Sequence, residues 1–277
     1  MRNNILYIFL FSIFFLNLSA QELEINSNKA KYDNIKKITL LEGEVNLEDE
    51  KGNKLFSEYA EYNELDELVK TVGKTKIITS NNFEALGSNI IFDNKKKIIY
   101  SNYKTQIKDN DGNKILVDMF SYSISTNIFF SKGNIEIFDV NNNNYKFSEI
   151  YIDENRKKII GSDVKAFLKQ ESLSLAVNNE PRFFANTMSL NKGVNTFEKG
   201  IFTYCKNREN EKCPPWVLKS SKIKHDLASK TVYYDNVVLK VYDFPIFFAP
   251  KFSHPDPTVK RRSGLLAPSL TNSSTLG

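Results

Sequence analysis

From Ala30 to about Phe167 the chain repeats itself every 30 residues. No other feature narrows the fold as much. A fixed period makes each unit one supersecondary element, which covers its apolar face only by stacking on its neighbours. The clearest column is Leu47, Ile77, Ile107, Ile137 and Phe167, with Val45, Thr75, Thr105 and Ile135 two residues earlier. Polar residues stand between them: Asn46, Lys76, Gln106 and Glu136. This is the period-two alternation of a strand with one dry face. A second column runs through Tyr32, Tyr62, Phe92, Tyr122 and Ile152. Ala60, Ile90, Phe120 and Ile150 precede it by two residues, on the same face. Each unit is therefore predicted to be a pair of strands.

Turn chemistry marks the same unit. One turn follows the aromatic column, at Asn63-Glu64-Leu65-Asp66, Asp93-Asn94-Lys95-Lys96 and Asp153-Glu154-Asn155-Arg156. The other falls at Lys51-Gly52-Asn53, Ser80-Asn81-Asn82, Asp109 to Asn113 and Asn141 to Asn144. Asn, Asp and Gly accept the left-handed or locally hydrogen-bonded backbone that such turns require. Two turns per unit leave two strands of roughly 10 to 14 residues, long enough that they are expected to bend. Gly43, Gly73 and Gly133 recur midway along the longer strand, where glycine marks a bulge or crease. In the fifth unit the alternation slips by one, with Val164, Ala166 and Leu168 taking the apolar phase. The repeat weakens beyond about residue 160 and stops after Leu168.

Stacked hairpins with one apolar face must cover it. They fold over into a two-walled jellyroll or close as a barrel. The columns then serve either as packed core or as the lining of an interior that takes a lipid, and periodicity is the same for both. An open stack leaves its first and last strands ready to add to another sheet. The expected fold is all-β: an open, antiparallel β-jellyroll of long hairpins.

Composition excludes several classes. With 41% hydrophobic and 26% charged residues the chain is an ordinary globular one, neither disordered nor collagen-like. Two Cys and two His provide neither a disulfide framework nor a clustered zinc site nor a His-based triad. No Gly-rich phosphate loop or nucleophile elbow is present, so no enzyme and no cofactor are expected. His225, beside Asp226, is read as a structural hydrogen-bonding group and Trp216 as core packing. The formal charge of +5 is spread along the chain and calls for no nucleic-acid partner. At the N-terminus, Arg2 precedes an apolar run from Ile5 to Leu18 and then Ser19-Ala20-Gln21. This is a signal-peptide pattern over residues 1–20, with an uncleaved anchor as the alternative. Nothing later is long and apolar enough to span a membrane as a helix.

After Leu168 the text is less regular. It includes Phe202-Thr203-Tyr204-Cys205, Cys213-Pro214-Pro215-Trp216 and Ile223-Lys224-His225-Asp226. Then come the apolar segment Phe244 to Pro250 and the run His254-Pro255-Asp256-Pro257-Thr258-Val259-Lys260-Arg261-Arg262-Ser263-Gly264. The prolines impose an extended, turned path and forbid a helix or central strand. In this order, from about Pro181 to Gly277, these segments resemble the LptD (OstA) family of outer-membrane lipopolysaccharide-assembly proteins. The upstream repeats are similar in kind to the OstA-like jellyroll shared with the LptA and LptC bridge proteins.

The resemblance implies a two-part protein of the Gram-negative envelope. A periplasmic jellyroll receives lipopolysaccharide from LptA by edge-strand pairing, and an outer-membrane β-barrel plugged by LptE releases it. On this basis residues 21–248 are assigned to the jellyroll, and residues 249–277 to a connector and the start of the barrel region. Barrel strands are expected after Gly277, and the chain is expected to be a fragment of a longer gene product. A chain of ~12 methylenes left in water costs on the order of 10 kcal/mol, which a row of apolar side chains removes without chemistry. The expected acyl-chain contacts are Leu47, Ile77, Ile107 and Ile137, supported by Phe92 and Phe120. Lys260, Arg261 and Arg262 are candidates for lipid-phosphate contact, against the alternative of a solvated loop. Family members carry a cysteine at the position of Cys205 in a disulfide to the end of the barrel. Within this chain a Cys205–Cys213 bridge is the simplest oxidised state.

Two other classes remain beside lipid transport at the outer membrane. A soluble periplasmic bridge protein of the LptA or LptC type has no need of the segment after Phe244. An exported structural repeat protein, such as an adhesin stalk, accounts for the columns but not for the C-terminal motifs.

Overall fold

The computed structural model describes residues 23–169, 181–203, 216–255 and 259. Among these residues there are strands and no α-helix. The repeats form β1 (Glu24–Asn26), β2 (Lys29–Asp33), β3 (Ile38–Glu48), β4 (Lys54–Asn63) and β5 (Leu68–Ile78). They continue through β6 (Glu84–Ser88), β7 (Ile91–Asp93), β8 (Ile98–Ser101), β9 (Thr105–Lys108) and β10 (Lys114–Val117). Next come β11 (Phe120–Ser123), β12 (Ile128–Phe138), β13 (Asn144–Asp153) and β14 (Lys158–Phe167). Beyond the repeats lie β15 (Arg182–Leu190), β16 (Val194–Thr203), β17 (Trp216–Asp226), β18 (Thr231–Val241) and β19 (Phe244–Pro255).

All pairings are antiparallel, and each extended path pairs with the next one along the chain. Several paths are divided at their midpoint: β1 and β2 both pair with β3, β6 and β7 with β5, and β10 and β11 with β12. Among the described residues nothing joins β1 or β2 to β19, so the meander is an open jellyroll rather than a closed barrel. The hairpin architecture continues past the end of the repeat. β19 pairs with β18 from Phe244 to Pro255 and so runs across the boundary expected at residue 248.

The creases arise from local backbone chemistry. Glu42 pairs with Tyr59 and Val45 with Ser57, so Gly43 and Glu44 together oppose one residue of β4. This is a bulge, and Gly43 sits in it at φ +74°. β5 and β12 carry the same extra residue at Gly73 and Gly133. β14 has no extra residue against β13, because Ser162 pairs with Glu149 and Lys165 with Lys146. Its inward set therefore moves by one: Val164 and Ala166 are buried, and Phe167, the last member of the clearest column, is exposed. In the third unit Tyr103 occupies the glycine spacing, and the strand is interrupted there between β8 and β9.

The turns are built as their residues require. Asp49 Oδ1 accepts the Asn53 amide N–H at 2.9 Å while Oδ2 accepts Asn53 Nδ2 at 2.7 Å. Asp109 with Asn113 and Asp139 with Asn143 make the same pair of bonds. These bonds hold the Asp139 carboxyl below its usual range although burial pulls it upward. At the other strand ends a left-handed residue recurs with the repeat, at Lys37, Glu67, Lys97, Asn127 and Lys157.

Folding each hairpin at its crease brings two walls face to face. Ile77, Ala85, Ile107 and Ile115 from one wall line the same cavity as Ile99, Phe120, Phe129 and Ile152 from the other. That shared interior is the core.

Candidate lipid-binding interior

Cross-strand register converts the repeat columns into continuous rows. One row runs Ile25, Leu47, Leu55, Ile77, Ala85, Ile107, Ile115 and Ile137 through directly paired positions. It continues through Tyr145, Ala166, Phe183, Phe202, Leu218 and Leu239 to Phe247. Every strand path therefore contributes one apolar residue to a single line across the sheet. On the facing wall a second row runs Tyr62, Val69, Phe92, Ile99, Tyr122, Phe129, Ile152, Ile159 and Leu190.

Burial changes along the first row. Leu47 is 1% exposed, and Leu55, Ile77 and Ile107 are also buried. Ile137, Tyr145, Phe183, Phe202, Leu218 and Leu239 are half-buried, apart from the buried Ala166 among them. At the end of the row Phe247 is 48% exposed. The interior is thus closed among the repeats and opens toward β19.

The six expected acyl-chain contacts fall on this interior. Leu47, Ile77, Ile107, Phe92 and Phe120 are buried in it and Ile137 is half-buried, with Phe120 stacked on Phe129 at 6.3 Å between ring centroids. Ile77, Ile107 and Phe120 line its cavity, about 70 Å³, whose walls are almost wholly apolar. Pockets that hold small ligands are roughly 300–1,000 Å³. The cavity as it stands is smaller than that, and an acyl chain would fit only with the walls parted. Most of the interior, including nine of the twelve residues that line the cavity, lies outside the six expected contacts. Leu55, Ala85, Ile115 and Tyr145, and again Val69, Ile99, Phe129 and Ile159, also recur at 30-residue spacing on the return strands. Those columns were the signal for them.

The strand ends meet across the mouth of the two walls. Lys51 Nζ donates to the Ile124 carbonyl at 2.7 Å, and Asn81 Nδ2 donates to Glu154 Oε2 at 2.8 Å. Lys97 Nζ stands 3.8 Å from Glu50 Oε1. Burial pushes the Glu154 carboxyl up, against the pull of Asn81 and Lys157. Burial likewise pushes the Tyr122 phenol up to about 12, with the charges of Glu154 and Asp49 adding to it. The mouth is therefore closed by polar turn-to-turn contacts over an apolar lining. It holds the two walls together.

Cys205, Cys213, Lys260, Arg261 and Arg262 lie outside the described residues. Trp216 packs edge-on against Phe202, with 6.0 Å between ring centroids. Among the described residues no helix is long and apolar enough to cross a membrane, and no group of three or more His, Cys, Asp or Glu stands ready for a metal.

LptH of Pseudomonas aeruginosa is similar to this chain. That solved structure is described as the LptA-homologous periplasmic component of the conserved lipopolysaccharide transport device. It is 16% identical, the match covers 50% of this chain and 80% of LptH, and the TM-score is 0.24. No family model and no curated protein matches the chain.

Proposed function

We propose that this chain carries lipopolysaccharide through the periplasm along its apolar interior and delivers it toward the outer membrane, as the jellyroll part of an LptD-type protein. The observation that carries this reading is the unbroken row of paired apolar residues from Ile25 to Phe247. A core alone needs no continuous line that goes from closed to open, whereas a conduit needs both. Burial of each methylene contributes about 0.8 kcal/mol, so an acyl chain lying along the row loses little by moving from strand to strand. The LptD assignment rests on the C-terminal motifs, from Phe202-Thr203-Tyr204-Cys205 to Lys260-Arg261-Arg262. In this reading residues 1–20 are a signal peptide, the β1/β2 edge receives LptA, and a following barrel with LptE completes the protein in the outer membrane. The chain is a conduit, and the energy for directional flow comes from elsewhere. The soluble-bridge reading also has support, since both ends of the meander present open sheet edges among the described residues. A stop codon directly after Gly277 would favour it over the LptD reading.

Loading requires the mouth to part, and that gives the test. A photoreactive amino acid at Ile107, in cells making lipopolysaccharide, is expected to crosslink lipid, whereas one at the outward-facing Gln106 is not. Next, Asn81→Cys and Glu154→Cys are joined by a short thiol-reactive linker, with Cys205 and Cys213 changed to serine. The joined mouth is expected to abolish the Ile107 crosslink, and a cleaved linker to restore it. Equal crosslinking with the mouth joined would overturn the proposal. Ile107→Glu puts a carboxylate on the cavity wall and is expected to block crosslinking at neighbouring positions. Its fold is checked separately by circular dichroism, since an unpaired buried charge is costly.

A further inference from the structure

We infer that β19 docks on the surface of a phospholipid bilayer carrying anionic headgroups. Among the described residues β19 pairs only with β18, and its first five residues form the most exposed apolar run. Phe244, Ile246 and Phe248 are 74%, 60% and 60% exposed. The exposure is on both faces of the sheet: Phe247 lies opposite Leu239 and Phe248 opposite Val238, and consecutive residues of a strand point to opposite sides.

Two-sided exposure discriminates between occupants. An added strand covers the edge and leaves both faces of β19 in water, whereas an interfacial lipid layer covers both faces together. Pro245 and Pro250 lack an N–H, which blunts the edge toward strand addition and leaves fewer donors to desolvate against lipid. An open sheet edge is not tolerated in the hydrocarbon core, so the strand lies at headgroup depth. Charge fits the same surface. Residues 216–255 carry six lysines against three aspartates. Lys222, Lys224 and Lys251 line a surface recess of about 430 Å³ beside β19 together with Asp235, which pairs with Lys251 at 2.6 Å. Anionic headgroups attract such cations, with Glu198 and Asp235 competing for Lys222 and Lys251. Exposed Tyr242, just before β19, adds an amphipathic ring suited to that depth.

The test uses the full chain and vesicles of phosphatidylethanolamine and phosphatidylglycerol with brominated acyl chains, free of lipopolysaccharide. Its result is therefore independent of what fills the interior. Because the apolar run of residues 5–18 is a second candidate for vesicle binding, local depth is read rather than total binding. A single tryptophan reports it, as Trp216→Phe with Ile246→Trp, and as Trp216→Phe with Leu65→Trp on a distant turn. Emission from the Ile246→Trp probe is expected to shift to the blue and be quenched, while the Leu65→Trp probe stays unquenched. Adding F244S and F248S, or raising the ionic strength, is expected to relieve the quenching, with the melting curve unchanged because these side chains are exposed. Two results would overturn the inference. One is an unquenched Ile246→Trp probe on chain recovered with the vesicles. The other is a probe shielded without lipid in a concentration-dependent way, which would assign β19 to a strand of a second copy.

Discussion

The repeats and the strands that follow them share strand length, hairpin turns and antiparallel order, yet they treat apolar surface in opposite ways. From β1 to β14 the inward residues meet a facing wall, and Leu47, Val69, Ile90 and Phe92 are almost fully buried. From β15 to β19 only Ala185, Met188, Ile223 and Val237 are comparably buried, while Tyr242, Phe244, Ile246, Phe247 and Phe248 are exposed. The difference lies above the level of the strand. Described contacts across the mouth join turns of the repeats, such as Lys51 with Ile124 and Asn81 with Glu154. A jellyroll closed at one end and open at the other holds together as a domain in its first part and presents surface in its second.

The largest test of this contrast is truncation of one aromatic in each part. Phe92→Ala is expected to cost about 3–5 kcal/mol of unfolding free energy in urea, since the facing wall cannot collapse onto the cavity. Phe248→Ala is expected to stay within about 0.5 kcal/mol of the parent. Equal costs would mean that β19 is buried in solution. At the junction, a Cβ on Gly161 would stand 2.7 Å from Phe147 Cδ1, so Gly161→Ala is expected to destabilise by about 1–3 kcal/mol through overpacking. Gly73 has open space around it but φ +78°, so Gly73→Ala meets backbone strain alone, about 1–2 kcal/mol by the same measurement.

A smaller effect concerns the mouth. Burial raises the Glu154 carboxyl above its ordinary value of 4.5, so folding takes up a proton between the unfolded and folded values. Its contribution is fully present below the unfolded value and is lost as pH rises through the folded one. Glu154→Gln keeps an acceptor for Asn81 and removes the charge. Its melting temperature is expected to match the parent in acid and to exceed it at neutral pH. A parallel offset at all pH values would show that the carboxylate is not held in a buried setting. Smallest is Lys97→Met, which loses a long, partly exposed ion pair with Glu50 and is expected to cost less than about 1 kcal/mol.

Much of this was legible in the residues. The turn at Lys51-Gly52-Asn53, the crease at Gly43 and the slipped phase at Val164 and Ala166 follow from neighbours a few positions apart, and each appears in the fold where the pattern puts it. The choice of Leu47, Ile77 and Ile107 as inward residues follows from alternation in the same way. Phe167 did not follow its column, because its strand lacks the extra residue of the bulge and its side chain turns outward. Asn81 and Glu154 stood out only as turn residues, being 73 positions apart, and no local pattern announces a contact at that separation.

The 30-residue period by itself determined the hairpins, their turns, their creases and the dry face of each strand, because these are properties of a few consecutive residues. Only the tertiary structure decided that the two dry faces meet, that a cavity of about 70 Å³ remains between them, and that the same row of apolar residues ends in water at Phe247. Alternation specifies which side of a strand avoids water. What covers that side depends on where distant strands lie when the sheet folds over.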